Sequence, residues 1–107
     1  MPPGPPHGTL EMLVLKILAL EPMHGWGIGE RIQQMSGQRF TVNHGALYPA
    51  LERLRRNGWV RAEWRESEHG RRARYYALTR DGQRQLTEAR GEWERAVATI
   101  NVILEAR

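Results

Sequence analysis

Apolar residues along the chain change their spacing from segment to segment. Leu10, Leu13, Val14, Ile17 and Leu18 recur at helical spacing, which predicts a helix capped by Thr9 and running to about Leu20. Glu21-Pro22 stops it, because a residue ahead of proline avoids helical geometry. Ile28, Ile32 and Met35 mark the inward side of a second helix, from about His24 to Met35, closed by Ser36-Gly37. Gly25 and Gly27 weaken it by about 1 kcal/mol each, which close approach of another backbone would explain. Leu47, Leu51 and Leu54 mark a third helix, capped by Asn43 and ended by Asn57-Gly58. Pro49 falls inside it, where a proline removes a backbone donor at a cost of about 3 kcal/mol. The apolar face continues across Pro49, so the helix is expected to survive with a locally opened second turn.

Past Gly58 the period shortens to two. Trp59 to Arg65 and Arg72 to Leu78 alternate in polarity and are rich in aromatic residues, as strands are. ESEHGR, with Gly70 near its tip, joins them as a hairpin loop. Arg72, Arg74 and Tyr76 share one strand face and Ala73, Tyr75 and Ala77 the other, so one tyrosine is expected in the core and one outside. Thr79-Arg80-Asp81-Gly82 then opens a long final helix. Leu86, Trp93 and Ile100 repeat every seven residues with Ala89, Ala96 and Ile103 between them, a coiled-coil seam that Val97 and Leu104 widen. At ~1.5 Å per residue this helix extends about 40 Å, more than the preceding domain can cover. The seam (Leu86, Ala89, Trp93, Ala96, Val97, Ile100, Ile103, Leu104) is therefore expected to bury against a second copy in a twofold dimer. Folding back on its own domain is the alternative.

The expected fold class is mainly α with a small β-hairpin: a winged helix-turn-helix with a long C-terminal dimerisation helix. Residues 1–8 form a flexible Pro/Gly-rich arm, 9–78 the winged domain and 79–107 the dimer helix.

Charge adds a partner to this picture. The net charge is +4, yet residues 1–51 and 79–107 are each balanced, so the excess lies in residues 52–78, where eight arginines face four glutamates. A basic patch confined to one segment points to a polyanion, most simply nucleic acid, against the plainer reading of a solvated arginine-rich surface. Cysteine is absent, which excludes disulfides and thiolate metal sites. MPPGPPHG has no basic region leading into an apolar run, and Met12 to Leu20 is too short to span a bilayer, so a soluble cytoplasmic protein is expected.

The third helix would enter a major groove with its leading residues toward base edges. Asn43 and His44 can donate or accept there, and Tyr48 can reach a phosphate through its hydroxyl. Gly45 and Ala46 are small enough to let backbone amides approach the phosphate chain at a helix N-terminus, with Pro49 in the next turn. Arg53 and Arg56 lie further along, placed for backbone contact or a glutamate partner. Asn43 as a plain cap and Tyr48 as packing against the second helix are the structural alternatives. On the hairpin, Arg71, Arg72 and Arg74, with Tyr75 beside them, suit phosphates or a minor groove. Stacking on single strands fits less well, because the aromatic residues are single on a two-stranded hairpin.

No enzyme is expected: the four histidines lack metal spacing, and no nucleophile–base pair or phosphate-binding glycine loop appears. No cofactor is expected either. The rival reading is a winged-helix ligand-sensing or protein-binding adaptor that reads no DNA.

GTLEMLVLKILAL, PMHGWGIGERI, GALYPALERLRRNGWV and GRRARYYALTRDG, in this order and spacing, resemble the PadR family of transcriptional regulators over nearly the whole chain after the arm. A single final helix resembles the family's small subfamily. The resemblance implies a winged-helix homodimer, usually a repressor, that binds double-stranded DNA at pseudo-palindromic operators. It marks Tyr48, Pro49 and the small residues before them as the DNA-facing turn, and Arg71, Arg72, Arg74 and Tyr75 as the wing. The family usually has tyrosine where Trp26 stands and often threonine or serine at Ala46, so hydroxyl contacts at both are absent here. Trp93 falls where some members trap flat, apolar ligands between paired aromatics, which would make it an effector residue. A packed seam tryptophan is the alternative.

Overall fold

A computed structural model describes residues 2–66 and 68–107. The elements are α1 (Leu10–Leu20), β1 (Met23–His24), α2 (Gly25–Met35), α3 (His44–Arg56), β2 (Val60–Glu66), β3 (Arg72–Leu78) and α4 (Arg80–Leu104). Val14, Leu15, Ile17 and Leu18 of α1 meet Ile28 and Ile32 of α2 and Leu47, Leu51 and Leu54 of α3 in one buried cluster. Val60, Tyr76 and Leu86 close it from the hairpin and α4. Burying a leucine or isoleucine side chain stabilises by about 1.5–3 kcal/mol, so the helical spacing alone brings these three helices together.

The sheet has three strands, not two. β1 pairs antiparallel with β3, Met23 opposite Tyr76 and His24 opposite Tyr75, giving the order β1-β3-β2. Two residues are too few to show a period of two, which is why the sequence pattern hides this strand. His24 is consequently not the first residue of α2 but its cap: its Nδ1 accepts from the Gly27 amide at 3.0 Å. Met35, expected to face inward, is 56% exposed at the end of α2. Thr9 precedes α1, but its hydroxyl donates to the Pro6 carbonyl instead of capping the helix. Pro3 and Pro2 offer their carbonyls to the amide and hydroxyl of Thr41, each at 2.9 Å.

Two joints aim the outer elements. At the first, Asn57 and Gly58 (φ +76°) end α3 and turn the chain into β2. At the second, the Thr79 hydroxyl accepts from the Gly82 amide, capping α4, and donates to the Gly58 carbonyl at 2.7 Å. Gly82 lies directly against the Trp59 carbonyl, with no room for a Cβ. This contact fixes where α4 leaves the domain. Past that joint only Gly82 and Leu86 of its 25 residues are buried.

Candidate nucleic-acid interface

The leading turn of α3 stands clear of the core. Asn43 caps it, its Oδ1 accepting from the Gly45 amide at 2.6 Å. Asn43, His44, Gly45, Ala46, Tyr48 and Pro49 are all exposed, so six residues expected at DNA share one accessible surface. α3 runs unbroken through Pro49, which lies on the outer face. Its missing amide leaves the Gly45 carbonyl without its usual helical donor on that same side. Tyr48 is held by packing: its ring covers Gly25, where a Cβ would approach Cε1 to 2.6 Å. Gly25 thus makes room for an aromatic side chain, where close approach of another backbone was the expected reason. Trp26, His44 and Tyr48 form an edge-to-face series at 5.0 and 5.7 Å, joining α2 to the first turn of α3.

The hairpin register settles the two tyrosines. Val60, Ala62, Trp64 and Glu66 lie opposite Leu78, Tyr76, Arg74 and Arg72. Paired residues share a face, and this is the face that α3 covers at its base. Tyr76 is therefore the core tyrosine, 5% exposed. Burial pushes its phenol above its ordinary value, against a smaller downward pull from Arg74. Tyr75 lies on the opposite face, between His24 at 5.5 Å and the Arg65 guanidinium at 4.1 Å. It therefore lies on the face opposite Arg72 and Arg74, as the alternation along the strand predicts.

Ion pairing sorts the arginines. Arg53 reaches back to Glu11 of α1 at 3.1 Å, Arg55 pairs twice with Glu52, and Arg65 pairs with Glu63. Arg53 thus takes the glutamate partner that was one of its two expected roles. Glu52 is held below the usual carboxylate range, chiefly by the hydrogen bond from Arg55. Among the described residues, Arg56, Arg61, Arg71, Arg72 and Arg74 form no ion pair. Arg56 lies seven residues after Pro49, hence on the same outer face of α3, free for the backbone contact expected of it. Arg61 lies on the far face of β2 with Glu63 and Arg65. Arg61 was not among the sequence-derived site residues, nor was Trp64, which the register places opposite Arg74.

The α4 seam divides. Leu86 is buried within its own domain's core, so it is not available to a second copy as expected. Ala89 and Val97 are half-buried and Ala96 is exposed. Trp93, Ile100, Ile103 and Leu104 are 44%, 52%, 68% and 74% exposed. Met12, Leu13, Lys16, Leu86, Arg90 and Trp93 border an open groove of about 920 Å³ between α1 and α4.

A winged helix with an uncompensated basic wing finds its counterpart among known proteins. The profile of the transcriptional regulator PadR-like family matches residues 14–88, well over half the chain. The chain belongs to the PadR-like family of transcriptional regulators. It is 31% identical over 88 residues to the transcriptional regulator YqjI of Escherichia coli, an alignment covering 82% of this chain and 41% of that protein. Among solved structures, a PadR-like transcription factor from Bacteroides fragilis is 33% identical with a TM-score of 0.74, covering 90% of each chain. A PadR-family regulator from Eggerthella lenta gives 0.83 at 29% identity, covering 94% of this chain and 85% of that one. This PadR-like regulator is accordingly a DNA-binding transcriptional regulator and not an enzyme. No helix among its described residues is long and apolar enough to cross a membrane.

Proposed function

We propose that this regulator is a cytoplasmic homodimeric repressor that reads pseudo-palindromic double-stranded DNA. The start of α3 (Asn43, His44, Gly45, Ala46, Tyr48, Pro49) meets base edges and nearby phosphates. Arg71, Arg72 and Arg74 hold flanking phosphates, and Arg56 joins them from α3. The observation that carries this reading is the pairing of the arginines: among the described residues Arg71, Arg72 and Arg74 of the wing and Arg56 on the outer face of α3 form no ion pair, while Arg53 and Arg55 of α3 are paired. An unpaired surface cation gives up little when it meets a phosphate, and the released counterions favour binding.

Dimerisation rests on α4, whose Trp93, Ile100, Ile103 and Leu104 leave an apolar stripe in water along with half-buried Ala89 and Val97 and exposed Ala96. A second copy's α4 laid along it would set two recognition helices about ~34 Å, one DNA turn, apart. The groove beside Trp93 supports the effector reading: a small flat apolar molecule there would alter the spacing of the two DNA-reading heads.

Titrating labelled genomic fragments with the protein across a series of salt concentrations tests the reading. Binding that weakens steeply with salt is expected, and Arg72→Ala should lower the log–log slope by about one unit. A slope near zero would favour the adaptor reading instead.

A further inference from the structure

Trp64 has no packing role inside the fold, yet its position is specific. It lies in β2 on the face shared with Val60 and Ala62, which pack on the core, but is itself 60% exposed. Its cross-strand neighbour is Arg74, and the Arg72 guanidinium lies over its ring at 5.7 Å. Arg74 in turn lies 5.8 Å from the Tyr76 ring. One face of the hairpin therefore carries, from base to tip, Tyr76 beside Ala62, then Arg74 beside Trp64, then Arg72 beside Glu66. At its base this face meets α3, since Val60 and Tyr76 share the buried cluster with Leu47, Leu51 and Leu54. Trp64 thus lies on the face of the hairpin that packs on α3 at its base, and not on the far face with Arg61, Glu63 and Arg65.

A lone exposed apolar residue is ordinary on a protein surface. This one is flanked by two arginines that form no ion pair among the described residues. Guanidinium groups at cation–π distance keep a ring face partly dehydrated and leave their outward N–H groups free for anions. Apolar ring, flanking cations and continuity with α3 together match the alternation of deoxyribose and phosphate along a DNA strand. A protein partner of matching acidity would not need the ring set between the two cations.

We propose that Trp64 is the apolar anchor of the wing on duplex DNA, its indole packed on deoxyribose faces while Arg72 and Arg74 hold the phosphates on either side. The proposal rests on DNA binding through the wing. Being a sugar contact, it is independent of sequence and releases no counterion.

The test titrates a random-sequence duplex with wild-type chain, Trp64→Ala, Trp64→Phe and Arg72→Ala at several salt concentrations. Trp64→Ala should weaken binding on the order of tenfold with an unchanged salt slope. Trp64→Phe should recover most of the loss, and Arg72→Ala should lower the slope by about one unit. In parallel, ¹⁹F spectra of wild-type chain grown with fluorotryptophan, with the Trp64 line assigned by its loss in Trp64→Phe, should show that line shift on adding duplex. Trp64→Ala binding within twofold of wild type, or an unmoved Trp64 line at saturating DNA, overturns the proposal while DNA binding stands. Trp64→Ala that changes the oligomer by light scattering and leaves DNA affinity intact also overturns it, giving the indole to a second copy. Wild-type chain that binds no duplex removes the wider reading and this one together.

Discussion

Pro49 is the residue whose presence most needs a physical reason. It lies inside α3, where it removes a helical hydrogen bond, yet the helix runs unbroken from His44 to Arg56. Its place on the outer face, one turn past the small residues Gly45 and Ala46, means that no core contact compensates the loss. Pro49→Ala should therefore stabilise the fold, by up to about 3 kcal/mol in denaturant melts, while weakening DNA binding. Equal DNA affinity in the variant would show that the proline does not tune this turn. Gly82 makes the opposite case. Its Cα lies against the Trp59 carbonyl, so Gly82→Ala must move backbone at the joint between wing and α4. A loss of about 1–3 kcal/mol is expected by chemical denaturation, and a neutral result would mean the joint gives way freely.

Among the elements, α3 and the hairpin together carry the arginines proposed to face DNA. Glu52 holds Arg55 in a bidentate pair on the side of α3 nearest Tyr76. Glu52→Gln should release that guanidinium, raising affinity for random duplex and increasing the salt slope by up to one unit. The same pair gives a sign for acid. The Glu52 carboxyl is held below 4.5, so its contribution to stability is present above that value and lost as pH falls through the folded value. At the alkaline end, burial raises the Tyr76 phenol above 10.0, so its contribution is present below that pH and lost as pH rises further. Tyr76→Phe should flatten the fall of unfolding free energy between pH 9 and 11, roughly the range where the phenol titrates. An equally steep fall in Tyr76→Phe would assign it to other groups.

At this scale it is also clear how far the residue pattern reaches. Helical periods located α1, α2 and α3, because each buries a stripe, and Asn43 announced its cap through its residue type. β1 stayed hidden because two residues carry no period. Alternation on β3 showed that Tyr75 and Tyr76 part company, but not which is buried, since that depends on which face α3 covers. Arg53 shows the same limit, because its partner Glu11 lies 42 residues away and only the packed helices bring them together. Trp64 beside Arg74 needed the hairpin register, which in turn depends on the loop joining the strands.

The whole molecule is elongated, 59 × 34 × 21 Å, because α4 runs on past the domain that anchors it at Gly82 and Leu86. From Trp93 onward the apolar residues of the heptad pattern are exposed, but Leu86, which the pattern assigned to a second copy, is buried in the domain itself. Trp93→Glu with Ile100→Glu should leave the winged domain folded and give monomers by light scattering. A double variant that stays dimeric would move the interface elsewhere. Losing the dimer should also weaken operator binding far more than binding to a single half-site, since the two recognition helices act together only when linked.

The central claim is that two copies of one winged head read duplex DNA in a fixed geometry. Selection of bound fragments from genomic DNA, followed by footprinting of the enriched ones, tests it most directly. Protected sites built from an inverted repeat with half-sites about one DNA turn apart, occupied by one dimer, are expected. Enrichment no better than random sequence, or protection of a single unrepeated element by one chain, would contradict it.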